Sequence, residues 1–421
     1  VRGLIDLLQS YKFTITENTP IEEEIALDPE LLGRVFENLL ASYNEETKTT
    51  ARKLTGSFYT PREIVNYMVD ESLIAYLESI LVENYEKQIE FKAKAPQSQQ
   101  KIFGKPDALQ MKLKPAAKKI PAKKRQQINE NLRHLFGYND EAHRFDPDAT
   151  DLLIKAIDTI KILDPACGSG AFPMGILHRL VFILHKLDPH NKLWKNKQLE
   201  RVEQIEVPTA RRVAIEDIEQ AFEKNALDYA RKLFLIQNCI FGVDIQPVAV
   251  QIAKLRFFIS LIVEQDIDDK EANRGMMPLP NLETKIVAAN SLIGFKGKSP
   301  LRGNTVIDLE NELKQVRKKY FDARSRKTKR ECEQKDKALR EKINQLIRKQ
   351  DFAKATDINL DQWDPYNQNE AADFFDPEWM FGEKQGFDIV IGNPPYVRQE
   401  KIRQFKPVFK DQFGCYTGMA D

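Results

Sequence analysis

A short apolar run, Ile160-Lys161-Ile162-Leu163, stops at Asp164-Pro165-Ala166-Cys167-Gly168-Ser169-Gly170-Ala171-Phe172, and an amphipathic stretch from Pro173 to Leu187 follows. Pro173 falls in the first turn of that stretch, where a missing N–H costs little. Strand, glycine loop and helix in this order open a doubly wound α/β unit, whose ligands sit at the carboxyl ends of the strands. Glycines at such a tip let backbone come close to a ligand. The spacing is neither Gly-x-Gly-x-x-Gly nor a P-loop, since no Gly-Lys-Ser/Thr follows, so a pyrophosphate is not implied. A cofactor with an amino-acid end and a nucleoside end fits better.

A second cluster lies near the end of the chain. The strand-like run Phe387-Asp388-Ile389-Val390-Ile391 closes at Gly392 and is followed by Asn393-Pro394-Pro395-Tyr396. Proline has no N–H for a ladder and fixes its own φ, so the chain must leave the sheet there. The Asn393 amide oxygen and the Pro394 carbonyl, side by side, can each accept one hydrogen of an exocyclic amine, and Tyr396 offers a ring to stack on a planar base. A plain turn at a strand end would use the same residue types.

Taken together, Asp-Pro-Ala-Cys-Gly-Ser-Gly-x-Phe followed by Asn-Pro-Pro-Tyr resembles the amino-group DNA methyltransferases that make N6-methyladenine from S-adenosylmethionine. Two more pieces match that family in chain order: Thr55-Gly56-Ser57-Phe58-Tyr59-Thr60-Pro61, upstream of the glycine loop, and Phe241-Gly242-Val243-Asp244-Ile245. Cofactor motifs first and catalytic motif last is the order of the gamma group, and the likeness is to type IIG restriction–modification proteins and BREX phage-defence methyltransferases. The resemblance implies a Rossmann-like methyltransferase sheet with an N-terminal helical region and inserted helices. It gives Tyr59, Thr60 and Pro61 to the methionine end of the cofactor. It gives Asp164, Ala166, Gly168, Gly170 and Phe172 to the glycine-loop contact, Asp244 and Ile245 to the ribose side, and Asn290 to the adenine amine. Asn393, Pro394 and Tyr396 would be catalytic, with Asn393, Pro395 and Tyr396 holding the substrate base. No metal is implied: five His are scattered without ligand spacing.

Local structure supplies competing readings. Thr60-Pro61-Arg62-Glu63 is also a capping box with Pro at the first helical position, which would start a helix running toward Leu77. Asp244 could simply end a buried strand, with Pro247 opening the next helix. An acid of this kind normally lies about 20 residues past the glycine loop, so Trp194 to Tyr229 must loop out as an insertion. Thr284 to Ser291 resembles the third strand, with Ala289 where the family has Gly.

The chain of 421 residues is expected to hold a helical connector over 1–50 and a methyltransferase domain over 51–421, with insertions near 92–127, 194–229 and 309–349. Ile25 to Leu40 reads as a capped helix. Lys92 to Lys124, rich in Lys, Pro and Gln, reads as a solvated loop or arm, and Leu309 to Lys349 as an exposed, charge-laced helical hairpin. Net charge is only +1, so affinity for double-stranded DNA must come from local basic surface. Four separated cysteines point to a reducing cytosol, and no apolar run is long enough to span a bilayer. Glu90-Phe91-Lys92 lacks the strand and acid of a nuclease signature. A chain opening on Val1 and closing at Asp421 reads as a piece whose target-recognition domain is missing. Alternatives are a protein glutamine or cytosine-N4 methyltransferase, or a cofactor-binding module without turnover.

Overall fold

In the computed structural model the described residues are 60–94, 120–139, 141–189, 191–203, 211–212, 215, 227–263, 265, 270, 279–294, 304–350, 363–396 and 402–414, with the backbone of four short strands before residue 51. Those strands form two separate pairs, β1 (Lys12–Thr14) with β2 (Glu24–Ala26) and β3 (Tyr43–Asn44) with β4 (Thr49–Thr50). They replace the helical reading at these positions: the β-branched and aromatic residues of Lys12–Thr14 suit an extended ladder better than a helix. Most of the helix expected over Ile25 to Leu40 lies outside the described residues.

The site-bearing part is a four-stranded, all-parallel sheet of β5 (Ile162–Asp164), β6 (Ile240–Asp244), β7 (Ile286–Ala288) and β8 (Ile389–Val390), in the order β7-β6-β5-β8. Read by chain position the order is 3-2-1-4, so strand order reverses between β5 and β8, which is where doubly wound sheets open a crevice. Register between these two is set at their base. Asp388 N–H donates to the Lys161 carbonyl at 2.8 Å, and Lys161 N–H donates to Asp388 Oδ2 at 2.7 Å.

Alternation along each strand sends side chains to opposite faces. Ile162, Ile240 and Ile286 join one core with α1 (Arg62–Lys94), α2 (Ala122–Phe136), α3 (Pro147–Thr159), α4 (Ala171–Leu187), α6 (Leu227–Asn238) and α7 (Pro247–Ile262). Between α4 and α6 runs α5 (Lys192–Glu203). Leu163, Phe241, Val243 and Val287 face a second core built from α8 (Asn304–Phe321), α9 (Arg326–Gln350) and α10 (Pro377–Phe381). The last described helix is α11 (Lys406–Gln412).

Three sequence expectations change. The helix begun near Thr60 runs on to Lys94, and α2 starts at Ala122, so both ends of the expected Lys92 to Lys124 loop are helical. Trp194 and Tyr229, the expected limits of a looped-out insertion, are both buried in helices; Tyr229 belongs to the main core. The charged hairpin α8–α9 is not a solvated excursion. Val306, Leu309, Leu313, Val316 and Tyr320 form its apolar stripe and cover the sheet's second face. A buried ion cluster fastens it: Asp336 accepts from Arg317 at 2.9 Å and Arg340 at 2.6 Å, and these arginines donate onward to the Trp379 and Trp363 carbonyls. Its turn is held by Asn281, just before β7, whose Nδ2 donates to the carbonyls of Tyr320 and Ala323. The basic turn therefore lies at the opposite end of the sheet from the glycine loop.

Two close contacts place the N-terminus of α1. A Cβ on Gly175 would sit 2.5 Å from Val65 Cγ1, so α4 and α1 meet almost backbone to side chain. Arg179 of α4, buried, donates to both carboxylate oxygens of Asp70 on α1 and to the Phe136 carbonyl. With α1 fixed, Thr60 and Pro61 stand beside the tip of β8. Among the described residues no helix is long and apolar enough to cross a membrane.

Candidate active site

Parallel neighbours β5 and β8 release their chains side by side. Ile391 N–H makes the last ladder bond, to the Leu163 carbonyl at 2.9 Å, and then both strands turn out. Gly392 passes so close that a Cβ there would fall 2.5 Å from Asp164 Oδ1 and 3.5 Å from Pro165 Cδ. Only glycine fits. The loop after Asp164 and the loop starting at Asn393 thus share one edge of the sheet.

The glycine loop is tied to the tip of β6. Cys167 N–H donates to the Val243 carbonyl at 2.8 Å, and Gly168 N–H donates to Asp244 Oδ2 at 2.9 Å. Asp244 Oδ1 accepts from Gln246 N–H at 2.8 Å, and its carbonyl accepts from Ala289 at the tip of β7. Gly168 (φ 53°) and Gly170 (φ 87°) both occupy the left-handed region that L side chains rarely adopt. They differ in surroundings: a Cβ on Gly170 would touch Ala253 Cβ at 3.0 Å, while one on Gly168 would meet nothing within 4 Å. Gly168 therefore faces open space. Arg256 of α7, buried, donates to the Ser169 carbonyl at 3.0 Å and braces the loop from behind.

Asp164 is the unusual group. It is 1% exposed, its Oδ1 accepts from Ala166 N–H at 3.0 Å, and its buried Oδ2 has no hydrogen-bond partner among the described residues. Burial pushes its carboxyl up to about 8, opposed by the Ala166 bond and reinforced by the nearby Asp244 charge. Burial also raises Asp244, against the pull of its two backbone hydrogen bonds. A bare, desolvated carboxyl oxygen at a strand tip is a receptor for a donor, best of all a cationic one.

Beyond Gly392, Asn393 is half-buried, while Pro394, Pro395 and Tyr396 are exposed, Tyr396 at 72%. No described group donates to Asn393 Oδ1 or to the Pro394 carbonyl. Asn393 Nδ2 donates to Thr60 Oγ1 at 3.2 Å across 333 positions of sequence.

That bond revises the helix start. The first turn of α1 closes on the Pro61 carbonyl, which accepts from Ile64 at 3.0 Å and Val65 at 3.1 Å, and among the described residues the Thr60 hydroxyl bonds to Asn393 rather than to a helix N–H. Asn290 follows β7, with N–H to the Ala372 carbonyl and Oδ1 engaged by Leu292 N–H at 3.1 Å. Ile245 is 56% exposed and Ala166 half-buried at the same edge. Phe172 is different: its side chain is 2% exposed in the main core, so it packs the base of α4 rather than lining the crevice. Tyr59 lies outside the described residues.

Gln246, Arg256 and the Gly392–Asp164 contact were not legible as site features. Gly392 before Asn393 was the one visible signal. A separate groove of about 730 Å³, lined by His143, His178, Phe182 and His185, sits on the flank of α4 rather than at the strand tips.

Residues 238–421 match the family described as Eco57I restriction-modification methylase. The chain is similar to these methylases. The matched span holds β6, β7, β8 and Asn393 to Tyr396, and leaves β5 with its glycine loop outside. Over 292 residues, 69% of this chain, it is 30% identical to a Methanocaldococcus jannaschii protein named as a type II restriction enzyme and methyltransferase, RM.MjaORFECS2P. The match spans 18% of that relative's length, less than a fifth. No solved structure matches the chain.

Proposed function

We propose that this chain carries the catalytic core of a DNA methyltransferase that uses S-adenosylmethionine to methylate N6 of an adenine turned out of the duplex, within a restriction–modification or phage-defence system of the gamma type. The observation carrying this reading is the shared edge of β5 and β8, which sets the glycine loop beside an acceptor pair at the reversal of strand order. The similarity of residues 238–421 to restriction-modification methylases supports it.

The residues present fit such a cofactor at two points. The orphaned Asp164 Oδ2 suits an ammonium, and the open space before Gly168 leaves room for a chain to run along the loop. Asp244, Ile245 and Asn290 would stand along the nucleoside side. When bound, the cofactor supplies a methyl group on a sulfonium, a donor that needs no further activation.

The protein's task is then the amine. Adenine N6 is a poor nucleophile because its lone pair is spread into the ring. Asn393 Oδ1 and the Pro394 carbonyl would each accept one of its hydrogens, which would draw the lone pair out of the ring and favour a pyramidal, more nucleophilic nitrogen. On this reading the amine would give up one proton to water as it takes the methyl group that the cofactor would supply. Tyr396, exposed, offers its face to the base after it leaves the helix stack.

Methyl transfer from labelled S-adenosylmethionine to DNA, followed by nucleoside identification, tests the proposal. Label in N6-methyladenine is expected. Label in N4-methylcytosine, or in protein, would overturn it.

A further inference from the structure

A primary amide has an accepting end and a donating end, and rotation about its terminal bond is broad and two-fold. Asn393 can accept a hydrogen from an amine only with its oxygen outward. Turned over, it sets NH2 against NH2. Something on the protein side must therefore give the amide nitrogen a reason to stay inward.

Thr60 stands at that point. Its side chain is buried, 8% exposed, and its Oγ1 accepts from Asn393 Nδ2 at 3.2 Å. The hydroxyl is not drawn away by the helix beside it, since α1 closes its first turn on the Pro61 carbonyl. Nothing else among the described residues bonds to it. Asn393 Oδ1, on the far side of the same amide, is left without a described donor.

We infer that Thr60 is a positioning residue for the methyl-accepting site: its hydroxyl holds the Asn393 amide nitrogen inward and so keeps Oδ1 presented to the substrate amine. This rests on the methyltransferase reading above, and turns the Thr60 hydroxyl toward the substrate base, leaving the cofactor's methionine end to the neighbouring residues of the segment before α1. With valine in place of Thr60, the inward NH2 loses its acceptor in a desolvated spot, and nothing holds the amide against turning over. Serine keeps the oxygen and restores the contact.

The test uses the full-length protein in three comparisons. Thr60→Val should lower kcat on DNA roughly ten- to a hundredfold while the affinity for S-adenosylmethionine by calorimetry stays within about threefold. Thr60→Ser should recover most of the lost rate. Placed on Asn393→Asp, whose two carboxylate oxygens accept in either orientation, Thr60→Val should cost little more than about twofold, the discount expected when two residues act through one contact. Independently of any turnover, asparagine-selective ¹⁵N spectra should show slowly exchanging Asn393 side-chain NH2 protons that become fast-exchanging in Thr60→Val and not in Thr60→Ser.

Equal loss with valine and serine, an undiminished kcat in Thr60→Val, or the same factor in both Asn393 backgrounds would overturn the positioning role. So would side-chain protons that ignore the substitution. A wild-type protein that methylates no DNA would instead count against the methyltransferase reading, and the exchange measurement would still decide the Thr60 contact.

Discussion

Gly392 and Asp164 face each other across the seam between β8 and β5, with a Cβ on Gly392 placed 2.5 Å from Asp164 Oδ1. The hydrogen of glycine is what lets two loops of different origin, 228 positions apart, leave the sheet as neighbours. Gly392→Ala must push the strands apart at their tips or expel the Asp164 carboxyl. The expected loss is about 1–3 kcal/mol of stability, the usual range for overpacking a tight site. A denaturant midpoint equal to that of the parent would mean the seam is looser than described.

Asp164 makes the stability of the ligand-free protein depend on pH with an unusual sign. Burial raises its folded carboxyl from 3.8 to about 8, so the native state holds a proton that the unfolded chain has already released. That contribution is complete below about pH 4 and fades as pH rises toward 8. Asp244, also raised by burial, adds to the same trend. Urea midpoints should fall from mildly acidic to mildly alkaline pH, and Asp164→Asn should flatten the slope. A profile that stays as steep in the variant removes Asp164 as its source.

The same carboxyl sets the direction for cofactor uptake on the proposed reading. An ammonium beside Asp164 Oδ2 favours the ionised acid, so binding expels the proton. Calorimetry in buffers of different ionisation enthalpy should detect proton release near neutral pH. Affinity that falls as pH rises from about 6 to 8 would put the ammonium elsewhere.

Asn393→Ala should reduce methyl transfer on the order of 10²–10³-fold, as loss of one preorganised partner in a transition state does, while cofactor affinity persists. Single-turnover rates with saturating cofactor separate the two. A variant that keeps most of its rate removes Asn393 from the chemistry.

The two loop glycines should fail differently. Both are left-handed, so alanine costs each about 1 kcal/mol or more of backbone strain. Gly170→Ala also meets Ala253 Cβ at 3.0 Å and should be the less stable of the pair. Gly168→Ala adds its methyl to open space and should lose cofactor affinity out of proportion to stability. Thermal unfolding and calorimetry on both variants read this out.

The strands were the most legible part of the sequence. Each apolar run, around Ile162, Phe241, Val287 and Ile389, ends at a residue with a reason to stop pairing: Asp-Pro, Asp244, Asn290 or Gly-Asn-Pro. What joins them was not legible, because Lys161 finds Asp388 and Thr60 finds Asn393 through folding alone. The helical spacing of apolar residues in the hairpin α8–α9 was legible, but its dense charges made it read as exposed, whereas the stripe from Val306 to Tyr320 is a buried face. Thr60 was read as a helix cap because Thr-Pro-x-Glu has that local chemistry. Its hydroxyl is instead drawn to Asn393, and Phe172, read as a cofactor contact, is taken by the core beneath α4.

The most direct measurement is a crystal structure of the protein with sinefungin, a stable analogue of S-adenosylmethionine. The analogue's amino-acid end should lie against Asp164 and Gly168, with the carbon that mimics the methyl-bearing centre turned toward Asn393 and Pro394. An analogue bound at another edge of the sheet, or held with that carbon facing away from Asn393, would contradict the account.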